Sequence, residues 1–235
     1  LRSLFARYAT YCGSSPLQAP ATLMLIAHVE QRGVWTISGG MQRLPQALAS
    51  LLTSMGGEIR CNAPVAEIGL RNGRAAGVHL ESGEWLPADA VVANADPGAI
   101  RQGMLGAATT SAVPPAALGP RSLSAITWSL VARTSGFPLA HHNVFFPEDY
   151  PREFAEIFDQ RRLPRRPAVY VCAQERGAEE RATTGAERLF LIANAPAEGD
   201  RASFGADAVA PLWAAVLELL EQCDLGLETT PARTV

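Results

Sequence analysis

Leu44, Leu48, Leu51, Leu52 and Met55 recur three or four residues apart, so the segment 41–55 is expected to be a helix with one apolar face. Gly39-Gly40 supplies the turn into it and Gly56-Gly57 ends it. The segments 58–61 and 65–70 then read as strands. Asn72-Gly73 is a strong type I′ hairpin signal before a further strand at 75–80. Ser82-Gly83 gives a second turn. Ala90-Val91-Val92-Ala93 is an unbroken apolar run suited to a buried, parallel strand. At Asn94-Ala95-Asp96-Pro97 a short helix is expected, with Asp96 as its cap and Pro97 at its first position. The helix 41–55 is expected to pack on the strands 58–61 and 90–93, with the hairpin nearby.

On either side the pattern differs. Leu4, Phe5, Tyr8 and Tyr11 follow helical spacing up to Cys12-Gly13-Ser14-Ser15-Pro16, which stops the helix with Gly and a following Pro. A second helix runs from Pro20 to Gly33, and 34–37 reads as a short strand. Strands are expected at 124–133, 141–146, 168–174 and 189–195, interleaved with helices at 151–158 and 206–223. The last helix carries Val209, Leu212, Trp213, Val216, Leu219, Leu220 and Cys223 in one stripe. The Gly- and Pro-punctuated stretch 102–120 is a loop. The fold class is therefore α/β (α+β), with 34–100 in one layer system and 1–33 plus 101–235 in another.

Composition sharpens this. With 48% apolar and 18% charged residues over 235 positions, the chain has the makings of a packed core. A net charge of -3 gives no nucleic-acid signal, because neutralising phosphates needs a concentrated basic surface. The densest basic run, residues 160–166, is short and broken by Pro164, and reads as a solvated loop. Cys12, Cys61, Cys172 and Cys223 lie far apart, which fits reduced thiols in a cytoplasmic compartment better than a disulfide framework. Leu1 begins directly in a helical pattern with no signal peptide in view, and no run of about 20 apolar residues is present to span a bilayer.

Nucleotide and catalytic motifs are scarce. No Gly-x-Gly occurs, nor a Walker A sequence or Gly-x-Ser-x-Gly, so these residues hold no phosphate-cradling glycine loop. His141-His142 invites a metal reading. Adjacent side chains in a strand point to opposite faces, so the pair is expected to be one packed and one exposed histidine, with no metal. Glu148, Asp149 and Glu179-Glu180 lack the apolar isolation that raises a carboxyl pKa for general-acid work.

The run from Gly33 to Pro97, read with FARYATYCGSSPLQAPATL before it and LAHHNVFFPEDYPREFAEIF after it, resembles bacterial carotenoid desaturases of the phytoene type, and within them the hydroxyneurosporene or methoxyneurosporene branch. Collinear matches at 5–20, 33–41, 62–68, 94–97, 139–158, 170–172 and 190–200 carry the resemblance. It implies an amine-oxidase-like architecture, in which 34–100 is part of a Rossmann-like FAD-binding domain and 1–33 with 101–235 is a mixed-sheet and helix substrate domain. FAD is the implied cofactor. Gly39, Gly40 and Met41 match the glycine pair that opens a helix in the flavin-binding half, and Val65, in Asn62-Ala63-Pro64-Val65, matches the residue whose backbone meets the adenine. Arg7, Tyr8, Tyr11 and Asn143 fall in segments matching sequence near the substrate channel.

The implied activity is introduction of a carbon–carbon double bond into a linear carotenoid. The implied setting is the cytoplasmic side of the inner membrane, held peripherally at the lipid surface. A tetraterpene offers almost no polar handle, so recognition is expected to rest on an apolar tunnel walled by the strands 124–133, 141–146, 168–174 and 189–195. No catalytic base stands out, and no feature sets an oligomeric state. The resembled enzymes carry a Gly-rich phosphate loop near one end and a Gly-rich flavin motif with a His-Pro pair near the other. Neither lies in these residues, so the chain reads as an interior piece, expected to be inactive alone. Two alternatives stay open: a flavin amine-oxidase-like enzyme of another substrate class, and a non-enzymatic carotenoid- or lipid-binding fragment.

Overall fold

The structure is a computed structural model that describes residues 1–115, 119, 121–176, 185–199 and 204–229. The carboxylates Glu179-Glu180 lie outside the described residues. The chain divides into two compact units, Val34–Pro120 and Leu1–Gly33 with Arg121–Val235.

In the first unit the left-handed backbone at Gly39 and Gly40, φ +84° and +89°, turns the chain into helix α3 (Arg43–Ser54). The turn is closed by Gly40 N–H to the Ile37 carbonyl at 2.8 Å. Asn72 and Gly73 both have positive φ and join β1 (Val65–Arg71) to β2 (Arg74–Leu80) as the hairpin expected. β3 (Trp85–Pro87) adds a third antiparallel strand. A Cβ on Gly69 or Gly77 would come within 2.7 Å of the Trp85 ring, so the two glycines open the space that this indole fills. Asp96 caps α4 (Pro97–Arg101) by accepting the Gly98 N–H at 2.6 Å.

Three expectations fail here. The segments 34–37, 58–61 and 90–93 are not strands, and the leucine stripe of α3 is not packed on them: Leu44, Leu48, Leu51, Leu52 and Met55 are all exposed. A strand needs a neighbour for its N–H and C=O groups, and among the described residues neither 58–61 nor 90–93 has one. Arg60 instead turns outward to Glu58 and Glu84, at 2.6 and 2.9 Å. The second boundary between units falls at Pro120, not at 100. Residues 101–115 stay with the hairpin unit through Ile68 N–H to the Leu105 carbonyl (3.0 Å) and Arg101 to the Val113 carbonyl (3.2 Å).

The second unit holds a five-stranded sheet in the order β5-β6-β7-β4-β8, antiparallel throughout: β4 (Ser124–Gly136), β5 (His142–Phe145), β6 (Val169–Ala173), β7 (Glu187–Ala195) and β8 (Leu225–Thr229). Cross-strand partners share a face. Val171, Leu191 and Trp128 form one row, and Ala173, Leu189 and Leu130 the next. These rows bury themselves under Leu212, Val216 and Leu220 of α6 (Ala206–Gln222), whose apolar stripe is the one the sequence predicts. At its far edge β8 returns along β4. Gly136 there has φ +78° and a Cβ on it would lie 1.9 Å from the Asp224 carbonyl oxygen, so only glycine fits. Before the sheet come α1 (Arg2–Arg7), a 3-10 turn Tyr8–Cys12 and α2 (Leu25–Gln31); between β5 and β6 lie α5 (Tyr150–Phe154) and a π-helical turn Ala155–Asp159. No helix among the described residues is long and apolar enough to cross a membrane.

Candidate functional site

In the second unit α6 seals one face of the sheet, whereas the other is covered only at one end, where α5 buries Ala168 and Asn194. Register places the intervening residues together on the other: His142, Cys172, Phe190 and Ser129 in one row, Val144, Tyr170, Ile192 and Thr127 in the next. Cys172, Tyr170, Phe190 and Ile192 are half-buried and His142 is exposed, so this face is a partly open floor of mixed aromatic, aliphatic and polar character. The strands expected to wall a tunnel thus present one part-open face, and the face under α6 is a solid core. Beside it α1 and the segments after it form a largely apolar cavity of about 630 Å³, lined by Phe5, Tyr8, Leu17, Leu23, Met24 and Tyr150 among others.

Polar chemistry gathers at the β5–β6 end of the floor. His141 precedes β5 and lies in a bend, so the alternation rule does not separate it from His142: the two rings meet edge-on, 4.4 Å between centroids. The expectation of opposite faces is wrong by one residue of strand. His141 Nδ1 lies 2.6 Å from the Arg176 carbonyl and its Nε2 3.7 Å from Cys172 Sγ. His142 Nδ1 lies 2.7 Å from the Tyr170 hydroxyl. Burial, followed by the charge of His141, lowers the His142 pKa. Burial, then the neighbouring Cys172, raises that of Tyr170.

Of the residues expected near a channel, Tyr8 and Tyr11 stack at 5.9 Å, and the Tyr8 hydroxyl donates to Glu30 at 2.7 Å. That carboxylate, more than burial, pushes the Tyr8 pKa up to about 12. Tyr8 also lines the cavity. Asn143 serves the scaffold instead. Buried on the core side, it accepts the Ala140 N–H and donates to the Ala140 and Val171 carbonyls. Tyr150 is buried among Phe146 and Phe154 beside Arg7, and burial, then the Glu153 carboxylate, pushes its pKa up to about 12.

Sequence reasoning missed three buried carboxylates. Glu153 accepts the Ala168 N–H and the Asn194 amide, each at 2.7 Å, and burial pushes its pKa up to about 7. Glu156 bonds Arg162 and the Arg165 N–H, so part of the basic run 160–166 is turned inward. Glu187 pairs with Arg176.

Gly39, Gly40, Met41 and Val65 belong to the other unit. Met41 is exposed, a Cβ on Gly40 would meet nothing within 4 Å, and Val65 at the start of β1 is 37% exposed, so these three are open to a ligand, whereas the Arg43 side chain lies against Gly39.

Residues 12–127 match the family model of flavin containing amine oxidoreductases. The hydroxyneurosporene desaturase of Rubrivivax gelatinosus is 49% identical over 98% of this chain. The chain belongs to the carotenoid desaturase family. A second hydroxyneurosporene desaturase, from Cereibacter sphaeroides, is likewise 49% identical, over 83% of the chain. The chain spans 44% and 39% of the length of those two relatives. An oxidoreductase from Methanosarcina mazei superposes over 96% of this chain and 52% of its own, with a TM-score of 0.54 at 18% identity, which shows the amine-oxidase-type fold.

Proposed function

We propose that this chain forms part of an FAD-dependent desaturase that introduces a carbon–carbon double bond into a linear carotenoid. The observation that carries the reading is the 49% identity to a hydroxyneurosporene desaturase over 98% of the chain. The uncovered Gly40 and the exposed Met41 and Val65 suit an approaching flavin dinucleotide, with Val65 against the adenine. Bound flavin supplies a two-electron oxidation, in which an allylic CH–CH unit gives up two hydrogens and becomes C=C. The residues of this chain supply binding and exclusion of water. Phe190, Ile192, Val144 and the cavity lined by Phe5, Leu23 and Met24 offer the apolar surface that a polyene needs.

Because such a substrate dissolves in lipid, the reading places the enzyme peripherally at the cytoplasmic face of the inner membrane. The test is the complete reading frame containing these residues, expressed in a host that accumulates neurosporene-type carotenoids. The expected result is a product lighter by one pair of hydrogens per step, with FAD released on denaturation. Unchanged carotenoids beside a flavin-loaded protein would overturn the substrate; a folded protein without flavin would overturn the cofactor.

A further inference from the structure

The function proposed above gives the imidazole–thiol cluster on the floor no role, and its geometry points elsewhere. One ligand atom from each of His141, His142 and Cys172 lies within 4.8 Å of the other two. The carbonyl of Arg176, 2.6 Å from His141 Nδ1, can only accept, so Nδ1 carries the proton and Nε2 keeps its lone pair. That lone-pair nitrogen stands 3.7 Å from Cys172 Sγ. In tetrahedral zinc sites, bonds of about 2.0 Å to nitrogen and about 2.3 Å to sulfur set the two ligand atoms about 3.5 Å apart. The pair already has that spacing.

Metal-bound histidines usually donate their remote ring N–H to a carbonyl, a carboxylate or a similar oxygen, which fixes the tautomer. Both histidines here have such a partner, the Arg176 carbonyl and the Tyr170 hydroxyl. The Arg176 partner is itself anchored, because its guanidinium bonds Glu187, Thr134 and the Leu139 carbonyl. Two imidazoles and a thiol make a soft donor set that favours zinc-class cations over magnesium or calcium.

We propose that His141, His142 and Cys172 form a binding site for one thiophilic divalent cation of the zinc class, with a fourth position open to water. Binding ionises the Cys172 thiol and releases its proton, so affinity rises with pH. The ion sits on the same sheet face as Phe190 and Ile192, and binding does not depend on flavin or carotenoid.

The experiment uses the chain itself, free of any histidine tag, titrated with Co²⁺ as a spectroscopic stand-in for Zn²⁺. One equivalent is expected to give visible bands of a tetrahedral site and a near-ultraviolet thiolate-to-cobalt charge-transfer band, both abolished by Zn²⁺. Cys172→Ser should remove the charge-transfer band while Cys12→Ser and Cys61→Ser keep it, and His142→Ala should weaken binding at least about 10-fold. Should Cys172→Ser fail to fold, alkylation of the unaltered chain decides: Zn²⁺ should protect Cys172 and leave Cys12, Cys61 and Cys223 as reactive as before. No band with folded protein, a band that survives Cys172→Ser, or equal protection of all four thiols would overturn the site.

Discussion

Arg176 meets Glu187 through two parallel hydrogen bonds, Nε to Oε2 at 2.9 Å and Nη2 to Oε1 at 2.6 Å, with the carboxylate fully buried and the guanidinium nearly so. The same guanidinium reaches Thr134 on β4 and the Leu139 carbonyl, so one residue after β6 ties together β4, β7 and the loop leading to His141. Removing one partner leaves the other charge buried. Glu187→Ala or Arg176→Met should each cost about 3–5 kcal/mol, and the pair Arg176→Met with Glu187→Leu should cost clearly less than the sum. Urea denaturation of the three variants checks this; additive costs would show that the two groups act independently.

Glu153 gives the fold a pH dependence. Its folded pKa is about 7, raised chiefly by burial from an ordinary value of 4.5. The folded chain therefore holds the proton more tightly than the unfolded chain. Stability from this group is full below pH 4.5, falls as pH rises to about 7, and is level beyond. Glu153→Gln should remove that slope, though it sacrifices one of the bonds to Ala168 and Asn194. Denaturation midpoints at about pH 5 and about pH 8 decide it, since a variant that tracks the parent at both would leave the slope to another group.

Val65 separates a flavin contact from an ordinary strand residue. In the complete reading frame Val65→Glu would place a carboxylate against the proposed adenine position. FAD content per protein should drop several-fold while the hairpin, whose Val65 is already 37% exposed, keeps its stability. Undiminished flavin would make Val65 merely the first residue of β1.

The leucine stripe of α3 should show itself in solution. Leu48, Leu51 and Met55 are 58%, 56% and 78% exposed, an apolar row of the kind that seeks a partner. The chain is expected to self-associate more as protein concentration or ammonium sulfate rises. Leu48→Glu with Leu51→Lys should suppress this, and light scattering that does not change would acquit the stripe.

Sequence alone revealed those elements whose signal is local. The Asn72-Gly73 hairpin, the Asp96-Pro97 helix start and the stripe of α6 are written in neighbouring residues and appear where the pattern puts them. β3 and β8 went unread because each is defined by its partner: β8 exists only along β4, past the crossing of Gly136 and Asp224. The converse error is 58–61 and 90–93, strand-like runs that no ladder receives. At the floor, the family resemblance pointed to Tyr8 and Tyr11, whereas Tyr170 and Cys172 became visible only through register with His142. Glu153 carries no local mark of burial, since its donors, Ala168 and Asn194, are 15 and 41 residues away.

A sheet sealed by α6 on one side and part-open on the other divides the labour of its sequence by parity. Along β6 and β7 the residues Val171, Leu189 and Leu191 hold the molecule together, while Tyr170, Cys172, Phe190 and Ile192, interleaved with them, are free of that duty. Change at Phe190 and Ile192 of the second set can reshape what rests on the floor without weakening the scaffold, whereas change at the first set disturbs folding. A library randomised at every other position should therefore yield folded proteins of altered ligand range from one phase and mostly insoluble chains from the other.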